Sequence, residues 1–398
     1  TKSWINFDLY FLKNISISKM IYSIINSYVL ENPEKFSNMI CDSIVNSNNA
    51  KIYINIETDK NATPQELSQQ LFKSIDMEEK IGIDNLLNFL LPKLEQYKDK
   101  INSSNDYERK MLIVYAKILA SVIENYIYLF FNFSDERSGI LLKWFQFFLV
   151  NKRRSISWLF FEGLDEMRDF INKFYKFAGL NNDQKSEFAN YLMSIVCGVM
   201  ENCIYKSLDP NDISLLEQEI ICKSTILNPE HPKSLLSTNN NNLDELEEFG
   251  EDIDIGQYRQ SAESVFYSIF FILIENFRDA GTTLFLNKIL STLPINEIEQ
   301  GKNSNDPYLP IKIDVILYVL SSIMEVLEVE NSQSSINIIH NLIKVFLDSK
   351  IVLQNQRIFI DFLVLIDKFN QKLVLEQDNF IRVVRFLLMI SKSSNNQS

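Results

Sequence analysis

The chain has 398 residues, 46 % of them hydrophobic, which is enough to bury a large core. Glycine and proline number only 9 each, which argues against Gly-rich phosphate loops, a Rossmann-type sheet or a β-sandwich. A net charge of −13 repels nucleic acid phosphates, favours solubility and suits a basic protein partner.

Chemistry-bearing residues are sparse. The two histidines, His231 and His340, and the four cysteines, Cys41, Cys197, Cys203 and Cys222, form neither a triad, a zinc pattern nor a CxxC pair. The cysteine usage fits a reducing compartment. Neighbouring carboxylates such as Asp165 and Glu166 have no nucleophile, metal ligand or oxyanion donor beside them in sequence. No enzymatic activity, cofactor or metal is expected. The most apolar stretch, VFYSIFFILI at 265–274, is about half the roughly 20 residues a membrane span needs. The first residue is Thr1 rather than Met, so a processed chain or a fragment is expected.

In chain order, NSNNAKIYINIETDKNATPQ (46–65) is a loose region whose KIYINI has strand propensity but no pairing strand nearby, so helix or coil is expected there. Segment 106–131 has helical spacing and is followed by a helix at 139–150. NKRRS (151–155) supplies Lys152, Arg153 and Arg154. They suit an acidic or phosphorylated partner, or an ordinary inter-helix loop whose cations favour the C-terminus of the preceding helix. Phe145, Phe147, Phe148, Trp158, Phe160 and Phe161 are spaced as core residues and are also rich enough to line shallow apolar pockets. A helix over 155–177 pairs with one over 184–205 through a polar turn at NNDQ (181–184).

The next stretch breaks the pattern. Residues 228–254 hold a four-Asn run and then Asp244, Glu245, Glu247, Glu248, Glu251, Asp252 and Asp254, and read as a disordered acidic loop. Its acids suit either a basic partner or a solvated linker. Beyond it, the helix after Pro310 is greasy on nearly every side, with Asp314, Ser321, Ser322 and Glu325 as a narrow stripe expected to face water. An amphipathic helix follows at 334–350, with His340 among Ile338, Ile339, Leu342 and Ile343 as a partly buried residue. The pairing recurs at 357–369 and 379–392.

Helix hairpins recurring at roughly 40–47 residues predict an all-α, right-handed superhelical solenoid of HEAT-like (ARM/HEAT-type) antiparallel hairpins, whose inner helices are sandwiched between neighbours. The predicted organisation is HEAT-like repeats over 1–227, the acidic loop over 228–254, and repeats continuing the same solenoid over 255–398.

Several segments resemble the importin-β superfamily of nuclear transport receptors, particularly its transportin-3 and importin-13 branch. PYLPIKIDVILYVLSSIMEVLEVENSQ is similar to a family helix through Asp314, Leu317, Tyr318, Ser322, Ile323, Glu325 and Val326. EEFGEDIDIGQYRQSAESVFYSIFFIL (247–273) resembles an acidic linker that ends in an aromatic–Arg pair, here Tyr258 and Arg259, and leads into a long helix. YAKILASVIENYIYLF (115–130), KSWINFDL (2–9) and, more loosely, FINKFYKFAG (170–179) look like further family elements, the last without the usual Trp. The resemblance implies a receptor that binds protein cargo and nuclear pore Phe-Gly repeats, shuttles between nucleus and cytoplasm through the pores of the nuclear envelope, and exchanges cargo under the GTPase Ran. It implies neither direct nucleic acid binding nor membrane insertion. If Trp4 is the family's internal SW, the chain is a central arch whose main Ran-binding repeats lie outside it, and autonomous Ran binding is expected to be poor. The rival expectation is a HEAT scaffold that assembles a cytoplasmic complex.

Overall fold

The computed structural model describes residues 32–56, 66, 70–71, 73–100, 106–131, 136–174, 182–203, 255–293, 295, 298, 309–330, 333–347, 356–372, 381 and 383–385. Among these residues there is no strand, and the architecture is all-helical. The acidic loop 228–254 and the opening segment 2–9 lie outside the described residues, as does most of 379–392.

Two units divide the chain, residues 1–183 and 184–398. The first holds α1 (Pro33–Val45), α2 (Met77–Tyr97), α3 (Asp106–Asn125), α4 (Glu136–Leu149), α5 (Arg154–Trp158) and α6 (Phe161–Phe174). Proline at the first turn of α1 loses no helical hydrogen bond, and Asp76 caps α2 by accepting from the Glu78 N–H at 2.9 Å. α3 is the centre of this unit. It packs against α1, α2, α4 and α6, and its Val114, Ile118, Leu119, Val122 and Ile123 are fully buried. α6 is amphipathic, burying Leu164, Met167, Phe170, Ile171 and Phe174 while charged residues alternate with them.

The KIYINI region is neither strand nor simple coil: Ile52–Asn55 forms a 3-10 turn. The helix expected over 106–131 ends at Asn125, and Ile127–Phe131 continues as 3-10. The break has a tertiary cause, because the Asn125 carbonyl is taken by the Lys51 N–H at 2.7 Å. The helix expected over 155–177 is split into α5 and α6 around Leu159 and Phe160.

The second unit holds α7 (Asn182–Asn202, which starts just before the division), α8 (Ile255–Phe277), α9 (Asp279–Leu290), α10 (Leu309–Glu330), α11 (Gln333–Leu347) and α12 (Gln356–Lys372). Asn182, Asp183 and Gln184 of the expected turn instead open α7, where Asp183 complements the helix dipole. α8 and α9 form a tight hairpin. Its joint is Arg278 at φ 51, in the left-handed region. Alternate helices then pack on one another: α8 on α10, α10 on α12, and α9 on α11. α10 is therefore covered by α8, α9 and α12. This is why Val315 and Val319 are buried along with Ile313, Leu317 and Leu320, which lie on the opposite face.

Two glycines set the closest helix approaches. A Cβ at Gly163 on α6 would meet the Ile123 side chain at 2.8 Å, and one at Gly281 on α9 would meet the Leu273 carbonyl oxygen at 2.3 Å. A side chain can yield, whereas a helix backbone yields only if the whole hairpin opens. Gly281→Ala is therefore expected to destabilise the fold by about 1–3 kcal/mol or more, and Gly163→Ala by less, as read by urea denaturation of each variant. Equal stability of the Gly281 variant and the parent chain would contradict the close packing of α8 on α9.

Candidate interaction sites

In the second unit, the residues that carried the family resemblance come together. Arg259 on α8 forms an ion pair with Asp314 on α10 (Nη1 to Oδ2, 2.7 Å), both side chains nearly out of water. The remaining guanidinium nitrogens donate to the Cys203 carbonyl just past α7, Nη2 at 3.0 Å and Nε at 3.3 Å. The Tyr318 hydroxyl, one turn after Asp314, donates to the Arg259 carbonyl at 2.9 Å. Next to Arg259, the Tyr258 hydroxyl and the Asn202 amide are 3.3 Å apart. Burial pushes the Tyr318 phenol well above its usual value. The expectation that Asp314 faces water is therefore corrected: its carboxylate is turned inward because a buried guanidinium needs a counter-charge. Ser322, in the same stripe, is also buried and spends its hydroxyl on the Val319 carbonyl at 2.8 Å. The Ser321 carbonyl on α10 accepts from Lys368 on α12 at 3.1 Å.

In the first unit, a polar loop that sequence reading passed over staples three helices. Buried Asn49 exchanges two hydrogen bonds with the Asp76 backbone, donating to its carbonyl (2.9 Å) and accepting from its N–H (2.8 Å). Glu79 accepts from the Ser47 hydroxyl (2.8 Å) and from the N–H groups of Asn48 (3.2 Å) and Asn49 (2.9 Å). Lys51, at φ 48, places its ammonium 3.1 Å from Glu124 on α3 and 2.7 Å from Glu166 on α6. The Tyr53 hydroxyl donates to the other Glu166 oxygen. Burial works against the Lys51 charge, yet hydrogen bonds to Glu166 and Glu124 outweigh it and hold its pKa above the usual value. Burial, with Glu124 beside it, raises the Glu162 carboxyl. No spacing of residue types marks this network in the sequence. Its parts are ordinary loop Asn and Lys residues whose partners lie in other helices.

The other candidates separate clearly. The seven acids Asp244, Glu245, Glu247, Glu248, Glu251, Asp252 and Asp254 lie outside the described residues. Lys152 is exposed and Arg153 half-buried in the loop just past α4, while Arg154 opens α5. Phe145, Phe148, Phe160 and Phe161 are core, whereas Phe147 and Trp158 keep 36 % and 37 % of their surface in water. His340 is buried edge-on against Phe369, with ring centroids 5.2 Å apart. Among the described residues, no group of three or more His, Cys, Asp or Glu is placed to hold a metal ion, and no helix is long and apolar enough to cross a membrane. Compared with known proteins, the chain matches no family model, no curated protein and no solved structure.

Two outcomes test these networks. Arg259→Met alone is expected to cost about 3–5 kcal/mol in urea unfolding, because it strands the Asp314 charge, whereas Arg259→Met with Asp314→Leu recovers most of that loss. The second concerns pH. Burial raises Tyr126 from the ordinary 10.0 to about 12, and raises Tyr53 and Tyr128 further. The folded state thus prefers the protonated phenols: the Tyr126 contribution is intact below pH 10 and is lost as pH rises through about 12, and those of Tyr53 and Tyr128 are lost at higher pH still. Alkaline titration should show these phenols ionising together with loss of helical circular dichroism. Titration of every tyrosine near pH 10 with helicity intact would contradict their burial.

Proposed function

We propose that the chain is a HEAT-like solenoid segment of a nuclear transport receptor of the importin-β type, a binding module without catalysis. One observation carries this reading. Arg259, Asp314 and Tyr318, set apart in sequence by their likeness to that superfamily, are joined by hydrogen bonds between α8 and α10, and Tyr258, the other member of the aromatic–Arg pair, is buried beside them against Asn202. Residues alike only by chance in two apolar helices have no reason to meet. The alternate-helix packing of α8 to α12 supports the solenoid, since stacking of first helices on first and second on second is how repeats share their apolar faces.

The mechanism is thermodynamic. A solenoid holds protein cargo along an extended face, and small changes between repeats add up, so that Ran and cargo affect one another's binding reciprocally. Phe-Gly repeats enter shallow apolar pockets between helices. The receptor shuttles between cytoplasm and nucleus.

Binding of Phe-Gly repeat peptides to the purified chain and nuclear rim accumulation in permeabilised cells test the reading. Saturable binding lost on Phe→Ser replacement in the peptide is expected, with weak, nucleotide-independent Ran binding. Absence of both peptide binding and rim accumulation overturns the transport reading and leaves a cytoplasmic scaffold. Tight, nucleotide-dependent Ran binding overturns the central-arch register.

A further inference from the structure

From Arg137 to Phe161 the chain carries Arg137, Lys143, Lys152, Arg153 and Arg154 and no carboxylate, although its net charge is −13. The structure places this stretch around the exposed side of α4. Ile140, Lys143 and Phe147 follow one another at helical spacing, and Ile140 and Phe147 remain 38 % and 36 % exposed. Lys152 and Arg153 sit in the loop past the C-terminal end of α4. α5 returns to that end, because the Ser157 hydroxyl donates to the Leu149 carbonyl, and this brings 37 %-exposed Trp158 beside the same loop. Arg137 is matched by Asp84 at 3.0 Å; among the described residues Lys143, Lys152 and Arg153 enter no ion pair.

The exposed Phe147 ring is backed by other aromatic rings. Phe147 is edge-on to Trp144 at 5.4 Å and to Phe148 at 5.2 Å, and Phe148 stacks on Phe160 at 4.9 Å. Ile140, Phe147 and Trp158 thus leave apolar area in water within a stretch whose charged groups are all cations.

We propose that this face of α4 docks an acidic peptide segment with aromatic anchors, its rings laid over Ile140, Phe147 and Trp158 and its carboxylates on Lys143, Lys152 and Arg153. Charge complementarity selects the occupant. The net charge of −13 opposes such a peptide on the chain as a whole, so a stretch with cations and no carboxylate is where attraction is favoured. A lipid surface fits less well, because a bilayer takes up a continuous apolar helix face, whereas here exposed Lys143 lies between Ile140 and Phe147, and the Phe147 ring is held edge-on by Trp144 and Phe148. Nucleic acid is opposed by the overall charge. The inference does not depend on the transport reading: neutral Phe-Gly repeats have nothing to offer the cations.

The test is fluorescence anisotropy of the full chain with a labelled peptide of alternating Glu and Phe. Saturable binding that weakens as salt is raised is expected. Lys152→Glu with Arg153→Glu, in the loop outside the core, should weaken it about tenfold, and Phe147→Ala by a similar factor. Circular dichroism checks that each variant is folded; if Phe147→Ala is not, the loop variant decides. Undiminished binding by the folded loop variant, or equal binding of an alternating Lys and Phe peptide, overturns the proposal. Preference for phosphatidylserine vesicles or single-stranded RNA over the acidic peptide overturns it as well.

Discussion

Arg259 and Asp314 meet at 2.7 Å where water scarcely reaches, and the arrangement around α10 depends on that contact. A guanidinium buried in a helix interface is tolerable only if its five donors find acceptors. Here one side of the fork faces the Asp314 carboxylate and the other the Cys203 carbonyl, so one side chain joins α8, α10 and the end of α7. Tyr318 closes the circuit by donating to the Arg259 carbonyl. The contact is also selective. Apolar helices slide along one another at little cost, whereas a buried charge has one register in which it is neutralised, so the pair fixes how α8 lies on α10.

The first unit meets the same requirement with a loop. Its central helix α3 is apolar around most of its circumference and offers little to specify where neighbours sit. Asn49, Lys51 and Tyr53 supply that specificity by gripping the start of α2, the end of α3 and the side of α6. The strained φ of Lys51 is the cost of turning its N–H onto the Asn125 carbonyl and its ammonium onto two glutamates. Both units thus combine a generous apolar core with a small buried polar network that selects one packing of it.

These networks are internal fasteners, and the exposed chemistry lies elsewhere. The stretch from Arg137 to Phe161 carries cations and no carboxylate and exposes Phe147 and Trp158, while behind it Phe148 stacks on Trp144 and on Phe160. A binding protein gains from such an arrangement, because a preformed surface loses little entropy when a partner settles on it.

The helical class was legible in the sequence. The 3.6-residue spacing of apolar residues across α6, α10 and α11, the scarcity of glycine and proline, and the unusual breadth of apolar residues on α10 follow from composition and order alone. Arg259 and Asp314 stood out in the sequence only through the resemblance, with Asp314 expected to face water, and their pairing was not legible: they are 55 positions apart, and nothing local makes an Asp on a greasy helix turn inward. The break of α3 at Asn125 was equally invisible, because the residues there are compatible with continued helix and lose it to Lys51, brought in from another segment; the division of α5 from α6 was not legible either. The sequence by itself determined that the chain forms apolar helices needing cover on several sides, since helix periodicity is a short-range property. Only the tertiary structure decided which polar groups are buried and where helices stop, since a polar atom's fate depends on whether a distant partner offers it a hydrogen bond in place of water.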